Sequence, residues 1–399
     1  MTPAATRPLF DDVELLRRLV AFDSTSRNPN RPIAEFVADY LDRPGIRIVE
    51  DPSDGDPGKV NLIVHVGPGL DPEGDNGRDG LTLCGHLDVV PADEPEWTSD
   101  PFELIDAGDR LVGRGACDMK GFDALAINTL ARVDPATLTR PLALVLTYDE
   151  EIGTIGAHDL VRRHHATGRP ALEQVPRRMI VGEPTSLQAV RLHKGHARQR
   201  LVVHGTPAHS GYPHLGHNAL EPMGRVLVAL AALRRELEAE RSEQSRHFPE
   251  VPWVALNVAM LHAGTAINIV PDRAELELGF RVLPGLDAKA VAARIRAAVA
   301  AVLDGERWEL SEPTQSPPML LDESSDLYLE ACALVDQDAT VAASYATDAG
   351  WLQQAGFDCL LLGPGDIGVA HKPNEWVPKT DLARCATLLD HLVDRFCRP

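Results

Sequence analysis

LTLCGHLDVVPADEPEWTSDPFELIDAGDRLVGRGACDMK, residues 81–120, is the stretch from which the fold is read. Its apolar start, 81–84, breaks at Gly85 and is followed at once by His86 and Asp88. A short apolar run bounded by glycine predicts a buried strand, with polar side chains beginning where the strand stops. In open α/β sheets ligands gather outside the carboxyl ends of the strands, so the placement suits a site. Further on, Gly113 and Gly115 loosen the backbone before Asp118, and Lys120 and Gly121 open a helical run. A carboxylate there sits near the positive end of a helix, where an oxygen donor to a metal could stand.

The same arrangement recurs on both sides. The apolar run 142–147 delivers Asp149, Glu150 and Glu151, and the run 179–181 delivers Gly182, Glu183, Pro184 and Thr185. Near the C-terminus, 359–362 reads as a strand followed by Gly363, Pro364, Gly365 and then His371. Helical periodicity is predicted over 11–20, 34–41, 122–132, 157–164, 325–335 and 381–396, with further strands at 46–49 and 61–66 and an exposed loop over 67–79. Between these halves the pattern changes. Strand 197–203, helix 218–241, strands 254–259 and 274–282 and helix 287–302 make an α+β unit, closed by a Pro- and Ser-containing link over 309–318. The expected organisation is a catalytic domain of 1–190 and 313–399, with 191–312 inserted into it.

The 399 residues suffice for at least one large core and favour two domains. A net charge of −20 argues against nucleic acid and anionic membranes as partners. Six cysteines without close pairing indicate neither a zinc finger nor a disulfide frame. With no secretory leader and no apolar stretch near the ~20 residues of a membrane span, the expected location is cytoplasmic.

Each candidate has a plain alternative. A histidine after a strand is often a packed core residue, Asp118 suits a helix cap, and Glu150 with Glu151 suits a solvated face. Glu183 before Pro184 suits a turn, and His371 suits an idle loop. Taken together, His86, Asp118, Glu151, Glu183 and His371 supply His and carboxylate donors after strand ends, which two zinc-like ions sharing one carboxylate require. Asp88 can fix the imidazole of His86, and Glu150 remains as a spare acid for proton transfer. His164 and His165 suit a helix C-terminus. His193 and His196, which frame Lys194 and Gly195, suit a strand or hinge as well as they suit chemistry.

These motifs resemble the dinuclear zinc metallopeptidase and deacylase family that includes acetylornithine deacetylases, succinyl-diaminopimelate desuccinylases, aminoacylases and glutamate carboxypeptidases. The marks are GHLDVVP at 85–91, GRGACDMKG at 113–121, DEEIG at 149–153, GEPT at 182–185, GTPAHS at 205–210, NIVPD at 268–272 and AHKPNEWVP at 370–378. CDMKGF at 117–122 and GEPTSLQAVRLHKGH at 182–196 look most like the acetylornithine deacetylase branch. The resemblance implies a zinc-exopeptidase-like α/β catalytic domain, with a mixed, largely parallel sheet flanked by helices, and an inserted α+β ferredoxin-like dimerisation or lid domain. It implies that His86 and Glu183 hold one zinc (or cobalt), that Glu151 and His371 hold the other, and that Asp118 bridges them. Asp88 would orient His86, and Glu150 would be the general base. His209 would reach the partner's site in a homodimer, while Asn268, Arg281 and Thr347 would hold the substrate carboxylate. The expected reaction is hydrolysis of an N-acyl amino acid, N-acetylornithine to ornithine plus acetate, as in arginine biosynthesis. Alternatives are acetylcitrulline or succinyl-diaminopimelate as substrate, or a dipeptidase or carboxypeptidase activity. A non-catalytic binding protein on this fold would be expected to lose ligands or the base, and this chain keeps every position.

Overall fold

The three apolar runs become parallel neighbours. In the computed structural model, which describes residues 8–69, 79–167, 172 and 175–399, the strand Leu81–His86 pairs with Leu142–Thr147 on one side and with Arg178–Val181 on the other, parallel to both. Asp358–Leu361 continues the parallel set beyond Arg178–Val181, and antiparallel Val60–Val66 and Ile46–Pro52 extend the opposite edge. Leu81–His86 and Leu142–Thr147 are buried at every position. Helices cover both faces of such a sheet, so the sequence reads as continuous apolar runs rather than alternation. The register sets His86 beside Thr147, Cys84 beside Val181 and Leu361 beside Val181. The polar segments that follow these strands therefore leave the sheet along one edge.

Asp12–Val20 starts where the Asp11 carboxylate accepts the N–H of Glu14 at 2.7 Å, with acids in its first turn and Arg17 and Arg18 in its last. Lys120–Arg132 is buried along most of its length and packs against Asp12–Val20, Lys379–Cys397 and Leu81–His86. The second helix runs Arg31–Leu41, three residues earlier than expected. Pro32 reads as a break in sequence, but proline is tolerated in a first helical turn, where its missing N–H costs no bond. The helix expected at 157–164 is longer, Ile155–Thr167. The loop expected over 67–79 lies mostly outside the described residues.

Several features have no counterpart in the sequence reading, and the link expected over 309–318 instead takes in the end of strand Arg307–Leu310 and the strand Thr314–Ser316. Ala349–Gln354 is a short helix. Ile105–Asp106, Arg110–Val112 and Trp376–Pro378 form a small antiparallel sheet that joins the segment before Asp118 to the one after His371. Strands of two or three residues carry too little pattern to be seen in sequence.

The chain divides into two compact units, residues 1–191 with 321–341 and 347–399, and residues 192–320 with 342–346. The second unit continues past 312 because Thr314–Ser316 pairs with Gly195–His204. Its order is strand Gly195–His204, helix Leu220–Ala239, strands Ala255–Ala263 and Arg273–Val282, helix Ala288–Ala300 and strand Arg307–Leu310. Arg273–Val282 lies between Ala255–Ala263 and Gly195–His204, with Arg307–Leu310 outermost on the far side, which is the ferredoxin-like arrangement. Arg273–Val282 alternates in burial because helices cover one face only. No helix among the described residues is long and apolar enough to cross a membrane.

Candidate metal centre

His86 closes its strand with both ring nitrogens committed. Nδ1 lies 2.9 Å from the carbonyl oxygen of Asp88, and Nε2 lies 3.2 Å from Oδ1 of Asp118. A carbonyl can only accept, so Nδ1 carries the proton in the neutral ring and Nε2 presents a lone pair. That lone pair faces a carboxylate oxygen, a contact that calls for a cation or a shared proton between the two. The other oxygen of Asp118 makes the same contact on its far side. Oδ2 is 3.2 Å from Nε2 of His371, and that nitrogen is 2.9 Å from Oε2 of Glu151. One ligand atom each from His86, Asp118 and Glu183 lie within 4.8 Å of one another, and so do those from Asp118, Glu151 and His371. Asp118 is common to both groups.

Asp88 meets His86 through its main-chain carbonyl; its carboxylate lies 3.7 Å from the ring and is engaged elsewhere. It accepts the N–H of Glu150 at 3.0 Å, the N–H of Glu151 at 3.3 Å and the hydroxyl of Ser26 at 2.7 Å. The carboxylate therefore holds the turn that presents the two glutamates. Lys59 holds the same turn from its other end. Its ammonium donates to Asp149 Oδ1 at 2.5 Å and to the carbonyls of Ser26 and Asn28 at 2.7 Å, while Asp149 sits at φ 51°.

The centre is short of positive charge. Burial, then Glu183, pushes the Glu150 carboxyl well above the ordinary glutamate range. Burial, then Asp118, does the same to Glu183, and burial with Asp118 raises Glu151 to about 7. Burial also acts on Asp118, but its contacts with the rings of His371 and His86 outweigh it and hold Asp118 low. Contact with Asp118, and then with Glu151, lifts His371 to about 10. Oε1 of Glu151 is buried without a hydrogen-bond partner among the described residues. Imidazole and carboxylate donors in two groups around a shared aspartate, with one acceptor left over, fit a pair of divalent ions of the zinc class. Burying this many acids without such ions would cost several kcal/mol per uncompensated charge.

The remaining expected residues are differently placed. Thr347 is buried in the first unit, and its hydroxyl accepts the N–H of Ala349 at 3.1 Å. His209, Asn268 and Arg281 belong to the second unit. His209 is exposed and bridges Ile269, Ser210 donates its N–H to the Asn268 carbonyl, and Nδ1 of His209 accepts the N–H of Gly211 at 3.0 Å. That bond leaves Nε2–H free to donate. Arg281 stands opposite His196 on the neighbouring strand.

Sequence reasoning missed Arg114 and Glu375, a buried pair 2.7 Å apart whose carboxylate also takes the N–H groups of Cys117 and Asp118. It also missed Lys59 and the buried Asp348, which burial raises to about 7 and whose Oδ2 accepts the Thr147 hydroxyl at 2.5 Å. Arg114 and Glu375 did stand within recognised motifs, GRGACDMKG and AHKPNEWVP. That was the available signal.

The pattern of peptidase family M20/M25/M40 matches residues 82–395. An acetylornithine deacetylase of Proteus mirabilis is 32% identical over 398 residues, covering 96% of each chain. Among solved structures, an M20 family metallo-carboxypeptidase of Sulfolobus solfataricus superposes with a TM-score of 0.76 at 17% identity, covering 96% of this chain and 99% of that one. A dinuclear metal-binding peptidase of Bacillus subtilis gives 0.66 at 17% identity, over 96% of each chain. The chain belongs to the M20/M25/M40 peptidase family, and it is a metal-dependent amidohydrolase of that family.

Proposed function

We propose that this chain hydrolyses the amide bond of N-acyl amino acids, with N-acetylornithine the substrate and ornithine plus acetate the products. The observation that carries the reading is Asp118, whose two oxygens face His86 and His371 separately, with Glu150 half-buried in the same acidic cluster and outside both ligand groups. His86, Asp118 and Glu183 would hold one divalent ion, and Asp118, Glu151 and His371 the other, zinc being the proposed metal and cobalt a compatible one. Such ions supply Lewis-acid polarisation of a carbonyl and bring the acidity of water toward neutral pH.

The chain's own groups supply the rest. Glu150, kept proton-hungry by burial, takes a proton from the attacking water and delivers it to the leaving amine. Asp88 fixes the backbone of Glu150, so the acid is aimed through its main chain. His209, with Nε2–H free, donates to the oxygen that becomes negative in the transition state, and it does so from the second copy in a homodimer. Arg281 and Asn268 bind the carboxylate of the amino-acid moiety. The identity to acetylornithine deacetylases supports the acetyl and ornithine choices and a role in arginine biosynthesis.

The test is release of free amine from a panel of N-acetyl-ornithine, N-acetyl-citrulline, N-succinyl-diaminopimelate and dipeptides, using protein reconstituted with zinc or cobalt. The proposal expects N-acetylornithine to give the highest kcat/KM. Preference for a dipeptide would replace it with the peptidase reading, and no turnover on any member would remove hydrolysis of this substrate class.

A further inference from the structure

Glu375 has no part in the chemistry described above, yet its side chain is 1% exposed and both its oxygens are used. Oε1 accepts the N–H of Cys117 at 2.9 Å and the N–H of Asp118 at 3.0 Å. Oε2 accepts from Arg114 at 2.7 Å. The main-chain carbonyl of Glu375 also takes the N–H of Gly113 at 2.9 Å, so one residue grips the 113–118 segment at both ends.

Arg114 extends the grip. Its guanidinium, equally buried, donates to the carbonyl of Pro91 at 3.0 Å and to that of Lys372 at 3.4 Å, and lies over the Trp97 ring at 5.1 Å. Pro91 ends the segment that began at His86, and Lys372 is the neighbour of His371. The pair therefore reaches the main chain of all three segments that carry His86, Asp118 and His371.

For stability alone this is a poor choice, because replacing a buried ion pair by apolar groups of similar size is often neutral or favourable. A carboxylate accepting two adjacent N–H groups, by contrast, dictates the orientation of the peptide units it holds. We propose that Glu375 and Arg114 are positioning residues for the metal centre. Glu375 sets the backbone of Asp118 so that its two oxygens face different histidines, and Arg114 fixes Glu375 together with the main chain beside both histidines. The inference rests on the metal-centre reading.

The test uses the full chain, stripped of metal and titrated with zinc against a chromophoric chelator, with visible absorption of the cobalt form as a second readout. Wild-type protein is expected to bind two equivalents. Glu375→Gln, which keeps the shape and loses the charge, is expected to bind at least one equivalent ~10–100-fold more weakly and to shift the cobalt spectrum, the size typical when a group supporting a metal ligand is removed. A purely structural ion pair would lower the melting temperature of the metal-free chain and leave affinity and spectrum unchanged, and that result would overturn the proposal. Should Glu375→Gln not be obtained folded, Arg114→Met combined with Glu375→Leu removes both charges and is read the same way. Fewer than two equivalents in the wild type would remove the metal-centre reading itself, whereas two in the wild type and unchanged binding in the variants would remove this inference alone.

Discussion

The two units differ in the ionisable groups gathered at their candidate residues. Beside the imidazoles of His86 and His371, the first buries Asp88, Asp118, Glu183 and Asp348 and half-buries Glu150 and Glu151, and the same unit also buries Lys59, Arg114 and Lys120. The second buries His193 and Lys194 and half-buries His196 and Arg281, with no carboxylate paired to Arg281 among the described residues. Burial pushes His193 and His196 down to about 4 and Lys194 to about 8, with Arg281 adding to each. Carboxylates withdrawn from water without compensating charge cost stability, so the acidic collection is not explained by folding alone. The acids of the first unit call for divalent cations, and Arg281 in the second would be matched by the substrate carboxylate proposed above.

The sharpest break in this comparison comes from the acidic side. Glu150→Gln is expected to keep both metal equivalents and to lose ~10²–10⁴ in kcat. Near-normal turnover would strike Glu150 from the reaction. On the other unit, His209→Ala is expected to lower kcat ~10²–10³ with metal content unchanged. Mixing His209→Ala with Glu150→Gln subunits should return part of the activity, and a mixture as inactive as its parents would argue that the histidine does not act across subunits.

Smaller effects test the cationic side. Arg281→Ala should reduce kcat/KM for N-acyl amino acids about 10–100-fold, the worth of a hydrogen bond to a charged group, and leave substrates with an amidated carboxyl unaffected. An equal loss on both would mean that Arg281 does not read the carboxylate. The smallest effect concerns stability. His193 has a folded pKa of about 4, below the ~6.5 of an unfolded histidine, so the unfolded chain binds the extra proton between those values. Stability is therefore lost as pH falls through 6.5 toward 4, by about 1–2 kcal/mol near pH 5 for this one group. His193→Gln should flatten the decline of melting temperature between pH 7 and 5, and an unchanged slope would show that the ring is not held neutral.

The same contrast explains what was legible in sequence. The acidic centre was readable because its ligands follow continuous apolar strands, so that 81–84, 142–147 and 179–181 announce both the sheet and the edge where His86, Glu150, Glu151 and Glu183 emerge. The strand, helix, two strands, helix order of the second unit was readable from alternation and helix length, but its last strand, Arg307–Leu310, ran into the expected link and was not. What holds the site was not. Arg114 meets Glu375, and Lys59 meets Asp149, across long separations in sequence, and a lone charged residue carries no sign of a buried partner. The carboxylate of Asp88 serves the Glu150–Glu151 turn rather than His86, because the carbonyl of the same residue already occupies Nδ1. The link between 110–112 and 376–378 was invisible for a different reason, its strands being three residues long.

Asp118 is common to both ligand groups. Zinc titration of the metal-stripped chain, followed by calorimetry, is expected to show two equivalents bound in the wild type, with both weakened in Asp118→Ala because each group loses a ligand. One equivalent or none in the wild type, or two of unchanged affinity in Asp118→Ala, would contradict it.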